Sequence, residues 1–269
     1  LSSVRGIFAV IVASILLLSL APADASHAAK ARKFARAKSK PAPEQCEPSK
    51  FRLILDVGHT SESFGALSAR NDFEFGFNLR LAKLIAEKLT SEGFAATRVL
   101  VTEGRAKPSL FNRVRAAAEL KAELVLSIHH DSVPDKLLEE WEFEGVKSHF
   151  SDRFSGYSLF VSRDNARFET SLMFARLIGG QLKERGLQYA SQYTLPIMGR
   201  YRHPLLDKTV GVYRFDQLIV LARTRSPAVL LEAGSIINRD EEMAMNSPER
   251  QELIGTAVTA AVKEFCEKH

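Results

Sequence analysis

Leu124-Val125-Leu126-Ser127-Ile128, followed at once by His129, is the stretch that decides the fold. A run with no charge and no polar–apolar alternation predicts a strand covered on both faces, the situation of a parallel sheet between helical layers. Working outward, Pro108 to Leu120 is helical, with Phe111, Val114 and Ala118 on one face. Upstream, Arg52 to Leu55 is a strand and Ala95 to Val101 is strand-like. Between them Phe75, Leu79, Ala82, Ile85 and Leu89 repeat at helical spacing, and Gly93 ends the helix. Downstream, Ser158 to Val161 is a strand and Glu169 to Arg185 a helix closed by Gly186. Leu218 to Leu221 and Ala228 to Leu231 read as two more buried strands. Ser247-Pro248-Glu249 opens a final helix with an N-cap, a proline at the first helical position and an early acid. Leu253, Ala257, Ala260 and Phe265 form its inner face. Alternating strands and helices predict one α/β domain with a twisted, mostly parallel sheet flanked by helices on both faces.

The chain has 269 residues, 45% hydrophobic and 26% charged, enough for a sizeable core. Its net charge of +5 is unevenly spread. Arg5, Lys30, Arg32, Lys33, Arg36, Lys38 and Lys40 face a single acid, Asp24, within the first 40 residues, leaving 30 basic and 31 acidic side chains for the rest. A near-neutral body lacks the basic field of a nucleic-acid-binding face, so nucleic acid is excluded as the main partner.

The first 25 residues read as a secretory signal: Arg5, an apolar run from Ile7 to Leu20, and the small-x-small site Ala23-Asp24-Ala25. An uncleaved anchor is the alternative, and either way the remainder is exported to the periplasm or cell envelope. Residues 26–50, rich in Ala, Lys, Arg and Pro, read as a disordered basic linker, and 51–269 as the folded domain. Contact with a membrane is expected only through the signal or this linker. Cys46 and Cys266 flank the domain; in an oxidising compartment such a pair predicts one disulfide tying its ends, two unpaired thiols being the alternative.

In open parallel sheets chemistry gathers at the carboxyl ends of the strands. His59 follows the first predicted strand, His129 the central one and Glu232 the last long one, while Glu74 opens the helix after the first loop. Two histidines and a carboxylate are a common catalytic zinc set, and a further carboxylate serves as general base. Each residue also has a plainer reading: a hydrogen-bonded structural histidine, or Glu232 paired with an arginine such as Arg225.

Asp56-Val57-Gly58-His59, with Gly65-Ala66 downstream, resembles the opening motif of the zinc-dependent N-acetylmuramoyl-L-alanine amidases, which reads Asp-Pro-Gly-His-Gly and then Gly-Ala. Glu74, Asn78 and Leu79 match that family's ligand helix, Arg113 and Ala117 its next helix, and Ser127-Ile128-His129 its second histidine motif. Pro227-Ala228-Val229-Leu230-Leu231-Glu232-Ala233-Gly234, with Asn238, resembles its closing motif. The resemblance implies one Zn2+ per chain held by His59, Glu74 and His129, with Glu232 as the acid–base residue. It implies hydrolysis of the amide between the lactyl group of N-acetylmuramic acid and L-alanine, with peptidoglycan as substrate and an activator protein as a possible regulatory partner. A related zinc peptidase acting on wall peptides and a silent wall-binding or regulatory module are the rival readings; retention of every ligand and of Glu232 argues against the second.

Four positions depart from the pattern: Val57 for proline, Thr60 for glycine, His130 beside His129 where a small residue is common, and Asp131 where Asn is frequent. His130 is an alternative ligand, a substrate contact or a partly exposed neighbour, and Asp131 a candidate to orient a ligand imidazole. His27, His149 and His269 receive no role. Residues 133–156 interleave Leu137, Leu138, Trp141, Phe143 and Phe150 with Glu139, Glu140, Glu142 and Glu144, a connection longer than usual. It is a candidate lid, or else a surface excursion. In the irregular stretch Tyr193 to Asp207, Arg200, Arg202 or His203 is a candidate contact for peptide carboxylates, a solvated loop being the alternative.

Overall fold

The computed structural model describes residues 46–268. The expected signal, the expected linker up to residue 45, His27 and His269 lie outside the described residues. The last part of the expected linker belongs to the domain, for Cys46 is bridged to Cys266 and Pro48–Lys50 forms a 3-10 turn.

Nine strands and six α-helices alternate through the described residues. They are β1 (Leu53–Val57), α1 (Glu74–Ser91), β2 (Arg98–Leu100), α2 (Ala106–Glu119), β3 (Leu124–Asp131), β4 (Glu139–Phe143), β5 (Val146–Phe150) and β6 (Ser158–Val161), then α3 (Phe168–Glu184), β7 (Leu205–Asp207), β8 (Val212–Arg214), α4 (Ile219–Arg223), β9 (Ala228–Ser235), α5 (Arg239–Asn246) and α6 (Pro248–Glu267). Seven strands form one sheet in the order β2-β1-β3-β9-β6-β8-β7, while β4 and β5 pair as a separate hairpin. The pairs β2–β1, β1–β3, β3–β9 and β6–β8 are parallel; β6–β9 and β8–β7 are antiparallel. The expected mostly parallel sheet is therefore mixed on its far side.

The central strands are buried on both faces, as their unbroken apolar sequences require. One layer, built from α1, α3 and α6, covers Leu53, Leu55, Leu126, Val229 and Leu231; the opposite layer, with α2 and α4, covers Ile54, Val125 and Leu230. Ser247 caps α6 by accepting from the Arg250 N–H, with Pro248 at the first turn as expected. Cys46 and Cys266, with Cα atoms 5.3 Å apart, close the domain in the expected disulfide.

Two expectations fail for identifiable reasons. Leu218 to Leu221 is not a strand: the slot beside β6 is filled by β8, and this short apolar run becomes the helix α4. On α2 the inward face is Ser109, Arg113 and Ala117, whereas Phe111 is exposed. A buried arginine there rotates the helix away from the face that apolar spacing selects. Residues 133–156 contain the regular hairpin β4–β5, with its turn at Glu144-Gly145, where both residues have positive φ.

Candidate metal centre

The ends of β1 and β3 and the start of α1 bring His59, Glu74 and His129 together. Their potential ligand atoms all lie within 4.8 Å of one another. Glu74 Oε2 is 3.0 Å from His59 Nε2, and Glu74 Oε1 is 3.0 Å from His129 Nδ1. Each carboxylate oxygen thus faces one imidazole. Burial alone would push the Glu74 carboxyl up, but the two imidazoles hold it well below the ordinary carboxylate range.

The backbone is shaped around this cluster. A Cβ on Gly58 would stand 2.5–2.6 Å from the His129 ring, so only glycine allows the two loops to approach. Gly65 has φ +80, and a Cβ there would fall on Glu74 Oε2 and the His59 ring. His59 itself adopts φ 67, a left-handed conformation costing a non-glycine residue roughly 1–2 kcal/mol. Arg113 holds it there. Its guanidinium, buried at 2% exposure, donates to Asp56 Oδ1 at 2.8 Å and also to the carbonyls of Val57 and His59. Asp56 is fixed in turn by the Ser127 hydroxyl at 2.7 Å. Thr60, where the family motif has glycine, closes the turn after His59: its hydroxyl donates to the Gly104 carbonyl and accepts from the Ser63 N–H. Val57 continues β1 in register with Ile128.

Asn78, one turn beyond Glu74, ties the cluster to the sheet by donating to Gly58 O and Glu74 Oε1, while its Oδ1 meets His130 Nδ1 at 2.8 Å. His130 is therefore neither a partly exposed neighbour nor turned toward the metal cluster. It is buried against Phe77, and burial holds its pKa down to about 3. Asp131 does not orient a ligand imidazole. It accepts from the Tyr193 hydroxyl at 2.6 Å and from Gln192, anchoring the segment that follows α3, and burial raises its pKa to about 7.

Glu232 lies on β9 directly across from His129 on β3, just before a shift in register between the two strands. Its Oε2 is buried without a hydrogen-bond partner, so the alternative reading of a carboxylate held by Arg225 is not realised. Burial, followed by the negative charges of Asp131 and Glu74, pushes its pKa well above the carboxylate range. His59, His129 and Glu232 open into one cleft of about 870 Å³, walled by residues 132–136 and by the stretch from Tyr193 to His203.

Sequence reasoning leaves several cleft residues unassigned. Phe160 and Phe215 carry no signal beyond an ordinary core pattern, and Lys136 stands in what reads as a surface connection. The hairpin is not a wall of the cleft. Trp141 Nε1 and the Ser148 hydroxyl both donate to the Ala69 carbonyl, and Arg70 and Arg239 lie over its rings. Only the segment leading into the hairpin, Val133 to Lys136, lines the cleft.

A sequence model of the N-acetylmuramoyl-L-alanine amidase family matches residues 53–264. Among solved structures, the chain shares its fold with the amidase Ami1 of Mycobacterium smegmatis at 19% identity and a TM-score of 0.61, covering 82% of this chain and 98% of that one. Ami1 of Mycobacterium abscessus is similar at 21% identity and a TM-score of 0.60, over 80% and 98% of the two chains. The catalytic domain of CwlV from Paenibacillus polymyxa is similar at 22% identity and a TM-score of 0.58, over 80% and 97%. The family match spans the sheet, the His–Glu–His cluster and Glu232 alike, and the chain belongs to the N-acetylmuramoyl-L-alanine amidases, hydrolases that cut the amide between N-acetylmuramic acid and L-alanine in peptidoglycan.

Proposed function

We propose that the chain performs this hydrolysis as an exported zinc enzyme, with the metal held by His59, Glu74 and His129 and with Glu232 as general base and then general acid. The observation that carries the reading is the convergence of two imidazoles and one carboxylate on a common point, with the unpartnered Glu232 on the neighbouring strand. The donors fit zinc: two nitrogens and one oxygen leave a fourth position for water or substrate. The bare backbone at Gly58 and Gly65 supplies the room that the ring and carboxylate need.

When bound, zinc polarises the amide carbonyl and lowers the pKa of a water toward about 7. The protein's own groups do the rest. Arg113, Asp56 and Asn78 fix the loop and helix that present the ligands. Glu232, whose enclosed carboxyl has a raised affinity for protons, takes one from the attacking water and delivers it to the departing L-alanine nitrogen. Export agrees with a disulfide, which persists in oxidising compartments, and with a substrate outside the cytoplasm. No helix among the described residues is long and apolar enough to cross a membrane.

Glu232→Gln tests the assignment, since it keeps the shape but cannot accept a proton. The variant should retain its fold and zinc while losing turnover by about 10²–10⁴-fold. Mass analysis of fragments released by the unaltered protein should find a free L-alanine amine and an intact lactyl acid. Near-normal turnover in the variant would remove Glu232 from the mechanism, and cuts inside the peptide would favour a peptidase.

A further inference from the structure

The cleft extends well past the metal ligands. It crosses the sheet sideways, from β1, β3 and β9, which carry the cluster and Glu232, to β6 and β8. Its floor there is a set of packed rings: Phe160 lies 5.1 Å from Tyr193 and 5.3 Å from His203, and His203 lies 4.1 Å from Phe215. Two cations stand at its rim on separate segments, Lys136 and Arg200. A Cβ placed on Gly199 would come 3.8 Å from Lys136 Nζ, so the amine rests against the turn that carries Arg200. An adjoining cavity of about 490 Å³ shares Arg200 and His203 and adds Arg202. Among the described residues no carboxylate pairs with Lys136, Arg200 or Arg202; the Arg200 guanidinium lies over the Tyr201 ring, 5.0 Å from its centroid, and donates to the Tyr201 hydroxyl at 2.8 Å. By contrast Arg214, on the same side, is matched by Asp216.

We propose that this arm of the cleft is a carboxylate-recognition subsite for the peptide half of the substrate, in which Lys136 and Arg200 hold a peptide carboxylate above the aromatic floor. The inference rests on the reaction proposed above and extends it to specificity. The two halves of that substrate differ in charge. The glycan half is made of N-acetylated sugars whose lactyl carboxyl is consumed in the scissile amide, so it offers no anion beside the bond. The stem peptide beyond L-alanine carries free carboxylates. Unpaired cations over an apolar floor therefore select the peptide half, with aliphatic stems on the rings and an anion at the rim. Lys136 and Arg200 act on binding and take no part in bond breaking.

The test compares muramoyl-peptides with free carboxylates against counterparts whose peptide carboxyls are amidated. With the zinc-loaded protein, amidation should raise KM by about 10- to 100-fold and change kcat little, the pattern for lost uniform binding through a charge-assisted contact. Lys136→Gln/Arg200→Gln should show the same raised KM for both peptides, with unchanged zinc content and melting temperature. Lys136→Arg/Arg200→Lys should restore the preference for the free acid. Calorimetry with the released stem peptide and its amidated form reads the subsite without turnover, and the acid should bind about 10-fold or more tightly. Equal KM and equal binding for acid and amide would overturn the subsite while leaving the reaction intact. Preferential binding of the acid without cleavage of any lactyl–alanine amide would instead support the subsite and sink the reaction assigned to the cleft.

Discussion

At the scale of single residues, adjacent histidines on β3 have opposite fates. His129 belongs to the His–Glu–His cluster, whereas His130 meets Asn78 under α1. Metal analysis of purified variants should therefore find zinc largely lost in His129→Ala and largely kept in His130→Ala, the latter with reduced stability from the cavity it leaves. Arg113 has a different kind of importance. Arg113→Met strands Asp56 in the core, and breaking such a pair costs about 3–5 kcal/mol, readable by denaturant unfolding. The double change Asp56→Leu/Arg113→Met removes the stranded charge and should recover much of that loss. It should still bind zinc about 10–100-fold more weakly, because the His59 carbonyl has lost the group that holds its left-handed turn. Full recovery of zinc affinity in the double variant would reduce Arg113 to a structural ion pair. The His59–Glu74–His129 cluster was legible because strand ends and motif spacing mark its members. The Arg113 contacts were not, since nothing in a helical arginine's spacing says that it turns inward and spans three loop groups.

At the scale of elements, the strands whose apolar runs are unbroken are the ones the sequence reveals, and β1, β3, β6 and β9 occur where their patterns predict them. The three-residue strands β7 and β8 escape because so short a run carries no period, and for the same reason the run that forms α4 reads as a strand. The hairpin had a usable signal: Glu140-Trp141-Glu142-Phe143 alternates with period two and leads into Glu144-Gly145. Its aromatic face packs on the loop that ends at Glu74. Trp141→Ala should accordingly accelerate hydrogen exchange across residues 66–73 and weaken zinc binding, while KM for small muropeptides stays near its original value. Trimming only the turn at Glu144-Gly145 should leave both zinc affinity and KM unchanged. A changed KM after trimming would restore the lid interpretation.

At the scale of the whole molecule, the bridge between Cys46 and Cys266 closes a loop with a sequence separation of 220, worth about 5 kcal/mol in the chain-entropy model. Cys46→Ser/Cys266→Ser should lower the melting temperature, with calorimetry reading the loss, yet leave zinc content and KM alone. The bridge lies at the amino end of the sheet. A cavity lined by Cys46 also touches Arg52, Glu123 and Pro227, the residues just ahead of β1, β3 and β9, whereas His59, His129 and Glu232 lie toward their carboxyl ends. A drop in zinc content on removing the bridge would show that the two ends of the sheet are coupled. The 5.3 Å between the two cysteine Cα atoms has another consequence. In its backbone routing the domain is already a ring, and a gene could be rewritten to start elsewhere on it. Joining residues 46 and 266 through a short glycine linker and opening the chain at the exposed Glu144-Gly145 turn should yield a circular permutant with the same sheet order and the same catalytic cleft.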